Sequence, residues 1–225
     1  MDPRTAKTRQ ALLDAAEELF AERGFAAVGN RELVACAGVN LAAIQYHFGS
    51  KLELYLETVR RAVQRPQIQA PWNALCESAP TRLGAARALA RFVRQLTASL
   101  LSKSELNACA RLMLREAMHP SDALPDVVRS FTRPHEDLLA SVIARIVPGA
   151  PPEETRLAAR GVLGQVFHHH LFRPFFQERP DESYGPAALA AIADYIVRFS
   201  LRGLGCSPRL IARALAPEDV QRSHP

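Results

Sequence analysis

The chain has 225 residues, 48% of them hydrophobic, with 28 basic against 23 acidic side chains and a net charge of +5. That much apolar material can build a core and argues against a disordered chain. The mild basic excess suits nucleic acid without proving it, and no run approaches the ~20 apolar residues of a membrane span. The polar start, MDPRTAKTRQ, reads as no signal peptide, so the expected place is the cytoplasm. Four cysteines, at 36, 76, 109 and 206, form no C-x-x-C pair and read as scattered buried thiols. No metal and no cofactor are expected.

Helical spacing dominates from the start. Leu12, Ala16, Leu19 and Phe20 recur at i, i+4, i+7 and i+8 in a first helix over 5–23, which Gly24 ends. Phe25 and Val28 lead into a second, short helix near 30–37, closed by Gly38. Asn40 is read as the N-cap of a third, near 41–47. Gly49 and Ser50 break that one, and Ser50 caps a fourth with Leu52, Tyr55, Leu56, Val59 and Val63 on one face. Pro66 and Pro71, in QRPQIQAPW, mark a change of composition, so one domain is expected over 5–65 and a second over 66–225. Longer helices follow near 81–102, 104–118, 123–147, 153–179 and 186–204, with a frayed end expected after Cys206. The fold class is all-α.

The stretch AGVNLAAIQYHFGSK, residues 37–51, interrupts this pattern. Two short helices joined by a tight glycine turn form a helix-turn-helix, whose second helix fits the DNA major groove. Leu33, Ala37, Val39 and Ile44 make the inner faces, and Gly38 supplies positive φ. Outward positions then carry what DNA needs. Asn40 can donate, Gln45 can bond an adenine edge or a phosphate, and Tyr46 and His47 can reach phosphates. Leu41, Ala42 and Ala43 allow close approach and contact with a thymine methyl. Lys51 opens the fourth helix, where its charge and the free N–H groups both favour phosphate. Arg4, Lys7 and Arg9 lie in or before the first turns of the first helix, and Arg31 starts the second. The competing reading makes Tyr46 a core aromatic of an ordinary helical pair.

The pieces TRQALLDAAEELFAERGF, RELVACAGVN and IQYHFGSKLELY resemble, in order and spacing, the DNA-binding domain of TetR-family transcription regulators across residues 5–63. VNLAAIQYHFGSK, LMLREAMHPSD and GVLGQVF are further similar to the CecR-type branch. The resemblance implies an N-terminal three-helix helix-turn-helix domain and a larger C-terminal helical domain. It also implies a homodimer on double-stranded operator DNA, a small-molecule effector pocket, and links to transport and drug-tolerance genes. Gln45 replaces a common phosphate-binding tyrosine, Val34 replaces a usual alanine, and Gly29 replaces a common threonine cap, leaving Asn30 to cap.

In the second domain, LAARGVLGQVFHHHLFRPFF is apolar nearly all round, so its helix is buried on more than one side. Gly161, Gly164 and His168, with Leu189, Ile192, Ile196 and Phe199 on the next helix, supply a two-fold interface. The alternative is a monomer's core helix. His168, His169 and His170 are consecutive, so their side chains diverge by about 100° and cannot share one metal. His169 or His170 can instead lend a pH-sensitive contact. Arg115 and Glu116 either pair with neighbouring helices or face an effector beside Phe92, Met113, Phe167, His170 and Phe172. Arg87, Arg91 and Arg94 read as a solvated face. No nucleotide-binding, hydrolase or zinc-protease motif is present, so no enzyme is expected. The expectation is a ligand-responsive repressor, with an activator of the same fold and a non-specific DNA-packing protein as alternatives.

Overall fold

A computed structural model describes residues 3–77, 80–101, 108–172, 175 and 184–216. It is all-α, and the described residues contain no strand. The helices are α1 (Pro3–Arg23), α2 (Asn30–Ala37), α3 (Ala42–Phe48), α4 (Lys51–Val63), α5 (Pro66–Cys76) and α6 (Arg82–Leu101). They continue as α7 (Ala108–Met118), α8 (Leu124–Val127), α9 (Arg133–Ile146), α10 (Pro152–Leu171), α11 (Pro186–Gly203) and α12 (Pro208–Leu215). The expected helical residues 102, 104–107, 173–174 and 176–179 lie outside the described residues.

The chain divides into two compact units. One holds residues 1–69 and 105–134, the other 70–104 and 135–225. The boundary read from Pro66 therefore does not coincide with them, because α7 and α8 return to the first unit and pack on α1 and α4. Chain composition cannot show a segment that folds back. The first unit closes around Leu12, Phe20, Leu33, Leu54, Tyr55 and Leu112, each essentially without solvent contact. Phe20 meets the Tyr55 ring edge-on at 5.0 Å, and Phe25 lies 5.1 Å from it. Arg61 ties α4 to α1 through Asp14 at 2.7 Å and Glu17 at 2.6 Å.

In the second unit α6 is the central helix, with α10, α11 and α12 packed against it. Its Phe92 is wholly buried and meets the Trp72 ring at a tilt, 4.8 Å between centroids, and the His135 ring lies 4.3 Å from the same indole. Gln165 on α10 donates to Ser200 on α11 at 3.1 Å, joining that pair.

Two helices escaped the sequence reading. α5 forms through the proline-bearing segment because Pro66 stands in the first helical position, where no N–H is needed. Pro71 sits inside it and is buried. α12 replaces the expected frayed end. Ser207 caps it by accepting from the Leu210 amide at 3.3 Å, Pro208 opens it, and Ile211 and Ala214 are buried. Arg87 donates to the Arg213 carbonyl at 3.3 Å and Arg94 to the Leu215 carbonyl at 3.1 Å. Arg94 also pairs with Asp194 at 2.8 Å. These arginines are thus helix-end ligands rather than a solvated face, and they satisfy carbonyls that a helix C-terminus leaves open. The helix expected over 123–147 is interrupted by a π turn at Val128–Thr132. Of the four thiols, Cys36 and Cys76 are exposed, against expectation. Cys109 is buried, and burial pushes its thiol up to about 11.

Candidate nucleic-acid interface

The helix-turn-helix is built as the glycine pattern demands. Gly38 has φ +66°, and its amide reaches the Ala35 carbonyl at 3.2 Å while Val39 reaches Val34 at 3.0 Å. That closure satisfies the last carbonyls of α2 and begins the four-residue turn, 38–41, that leads to α3. Nothing stands within 4 Å of the place a Gly38 Cβ would take, so only the backbone angle selects glycine there. Ser50 accepts from the Glu53 amide at 3.0 Å and so caps α4 as expected.

The other two caps differ. Leu41 occupies the N-cap position of α3 without a side-chain bond, while the Asn40 carbonyl accepts from the Ala43 amide at 3.1 Å. Gly29, not Asn30, precedes α2, again with no side-chain cap. The backbone alone starts both helices, which leaves the Asn30 and Asn40 side chains exposed.

α3 has two clear faces. Ala43 and Ile44 are buried at 7% and 3% exposure, whereas Leu41 and Tyr46 are 53% and 76% exposed. Tyr46 is therefore not a core aromatic. Asn40, Ala42 and Gln45 share the open side, and His47 is half-buried with its ring edge-on to Tyr46 at 4.9 Å. Ala43 is a correction to the expected contact set, because its methyl points into the unit's core.

Five cations of the first unit are in different states. Arg4, Lys7 and Arg31 are exposed. Lys51 is half-buried, with its Nζ 4.3 Å from the centre of the Phe25 ring, and burial lowers its pKa. The ring holds the ammonium at the N-terminus of α4. Arg9 is occupied elsewhere. It bonds Glu57 at 2.7 Å and lies over Phe48 at 5.1 Å, which fastens α1 to α3 and α4. Burial alone would raise Glu57, but Arg9 and Arg60 outweigh it and hold the carboxyl below its ordinary value.

The seven residues expected around an effector fall in different units. Met113 packs against the core of the first unit. There too, the Arg115 stem lies over the turn at Gly24, whose φ of +82° leaves a Cβ position only 2.9 Å from the Arg115 Cδ. Glu116, at 3% exposure, bonds Tyr55 and Ser121. In the second unit Phe92 is core, Phe167 and Phe172 are 41% and 46% exposed, and His170 is buried, its Nδ1 2.8 Å from the Leu100 carbonyl oxygen. Sequence order hides such partition, since neighbours along the chain separate on folding.

The expected two-fold face is mostly on the surface of the second unit. Gly161, Gly164, His168 and Phe199 are exposed, and Leu189 and Ile192 are half-buried. His168 stacks on Phe172 at 4.7 Å. Ile196 is a correction, because at 1% exposure it belongs to the subunit's own core. Tyr195 and Leu157, at 65% and 63% exposure, were missed, though each lies four residues from an expected member, Phe199 or Gly161. His169 is held below its ordinary value by burial and then by the His168 charge.

Comparison with known proteins agrees with this arrangement. The family described as bacterial regulatory proteins of the tetR family matches residues 12–58. The C-terminal domain of the HTH-type transcriptional dual regulator CecR matches residues 85–204, more than half of the chain. The dual regulator CecR of Shigella flexneri is 27% identical over 173 residues, covering 73% of this chain and 76% of that protein. The transcriptional activator FasR of Mycolicibacterium smegmatis is 46% identical over 61 residues, 27% of each chain. NalD of Pseudomonas aeruginosa, the secondary repressor of the MexAB-OprM multidrug efflux pump, shares the fold at a TM-score of 0.59 and 22% identity. That match covers 89% of this chain and 96% of NalD. These relatives are transcription regulators, not enzymes, and no described helix is long and apolar enough to cross a membrane. The chain belongs to the TetR family of DNA-binding transcription regulators, with a C-terminal domain of the CecR type.

Proposed function

We propose that the chain is a ligand-responsive repressor that binds a palindromic operator as a homodimer and is released by a small-molecule effector. One observation carries the DNA reading: α3 buries Ala43 and Ile44 and leaves Leu41, Ala42, Gln45 and Tyr46 outward on and before a short helix. An outward helix with a polar aromatic, an amide and small residues fits a major groove. In this reading Arg4, Lys7, Asn30, Arg31, Asn40, Tyr46, His47 and Lys51 meet phosphates, while Leu41, Ala42 and Gln45 approach bases. The exposed apolar face of α10 and α11 supports the dimer, since a two-fold protein reads two half-sites about one DNA turn apart. Control of transport or drug-tolerance genes follows from the CecR-type likeness.

A second sign of regulation is favoured by the relatives themselves, one of which is a dual regulator and another an activator. Salt-dependent binding to the gene's own upstream DNA and to random DNA tests the reading. Specific recognition gives a ratio of about a thousand or more, whereas a packing protein gives none. A reporter fused to the same upstream region, with the regulator present and deleted, separates repressor from activator.

A further inference from the structure

Glu116 lies in the stretch matched by the C-terminal domain family, yet its side chain is buried in the compact unit that holds the reading helix. Its carboxylate is fully engaged. Oε2 accepts from the Tyr55 hydroxyl at 3.1 Å, across 61 positions of sequence. Oε1 accepts from the Ser121 amide and the Ser121 hydroxyl, both at 2.8 Å. The Ser121 hydroxyl in turn accepts from the Ala123 amide at 3.2 Å. A buried carboxylate is tolerated only when donors surround it, and here they come from two directions: α4 on one side and the α7–α8 corner on the other.

The line continues toward the DNA face. Tyr55 packs on Phe20 and Phe25, and Phe25 carries the Lys51 ammonium. Gly24, at the end of α1, is covered by the Arg115 stem from the same helix as Glu116. Burial, and then the Glu116 charge, push the Tyr55 phenol above its ordinary value, so the hydroxyl remains the donor. A shift of α4 disturbs the Tyr55–Glu116 bond, and the turn after α1 is packed against the Arg115 stem of the same helix.

We infer that Glu116 is a positioning residue for DNA binding: through Tyr55 and Ser121 it locks α7 and its corner onto α4 and so sets where Lys51 and the reading helix stand. This rests on the DNA reading above and extends the binding machinery to residues that touch no DNA. If the lock opens, the fraction of molecules with a competent head falls, and apparent affinity falls by the same factor.

The full-length variants Tyr55→Phe, Glu116→Gln and Ser121→Ala test it against upstream DNA at a temperature where each remains folded by circular dichroism. Tyr55→Phe and Ser121→Ala remove one hydroxyl each and keep the core shape, so they serve even if Glu116→Gln fails to fold. The expected result is operator binding about tenfold weaker for Tyr55→Phe or Glu116→Gln. The double variant should be no worse than the poorer single, as members of one unit behave. Amide hydrogens of α3 and α4 should also exchange faster than in the parent. Wild-type affinity in the folded Tyr55→Phe and Ser121→Ala proteins overturns the inference and leaves the DNA reading standing. A parent protein with no preference for its upstream DNA removes both.

Discussion

The two compact units of this chain finish their surfaces in opposite ways. The first buries most of its apolar residues around Phe20 and Tyr55, with Met118 open on α7, and the outward side of α3 is mostly small or polar, with Leu41 and Tyr46 the large exposures there. The second leaves Leu157, Phe167, Phe172, Tyr195 and Phe199 open along α10, at its end and along α11. Such a grouping on one pair of helices is uncommon on a monomer's surface and marks a place where apolar area awaits cover. Exposure thus means different things in the two units. In the head it presents groups suited to a charged, hydrated polymer. In the second unit it presents groups suited to an apolar partner surface, the use proposed above for a second copy.

That contrast can be broken most sharply at Phe199. Phe199→Asp places a charge on the open face without touching the subunit core, since the ring is 57% exposed. The expected outcome is a folded monomer by sedimentation, with operator affinity down about a hundredfold as the second half-site is lost. An intact dimer would show that the apolar face has another use. In the head, Gly38→Val forces a β-branched residue to φ +66°. The helix-turn-helix should lose about 2 kcal/mol in denaturant unfolding, although no atom blocks the new side chain.

Smaller effects separate contact from scaffold within the head. Lys51→Ala should weaken binding about tenfold on every sequence and make the salt slope shallower by about one, if the ammonium on Phe25 meets a phosphate. An unchanged slope would leave it a purely structural cation. Gln45→Ala carries the smallest and most informative change. A uniform loss of about threefold marks a phosphate partner, whereas a changed preference at one base pair in a selection assay marks base readout.

How much was legible follows from how far each interaction reaches along the chain. Gly38 and Ser50 act within one or two turns, so spacing revealed them, as it did Tyr55, Leu56, Val59 and Val63 on the buried side of α4; Leu54, Thr58 and Ala62, buried on the same helix, were not read. The buried side of Ala43 was missed because a seven-residue helix has room for only a narrow stripe, and a one-position rotation moves an alanine from groove to core. Ile196 was misplaced for the same reason on α11: apolar residues cover more than one face, and pattern alone does not say which one meets its own subunit. The prolines of α5 and the helix α12 misled through composition. Pro66 and Pro208 open helices, and the carbonyls that end α12 are held by Arg87 and Arg94 from over a hundred residues away.

The amino-acid sequence by itself determined the helical class, the glycine turn, the cap of α4 and the family, because each depends on neighbours a few residues apart or on a local motif. Tertiary structure alone decided that residues 105–134 join the head, that Glu116 is held by Tyr55 and Ser121, and that Arg94 closes a distant helix end. Those outcomes rest on burying charged or polar atoms only where donors converge from separate parts of the chain, and that convergence exists only after folding.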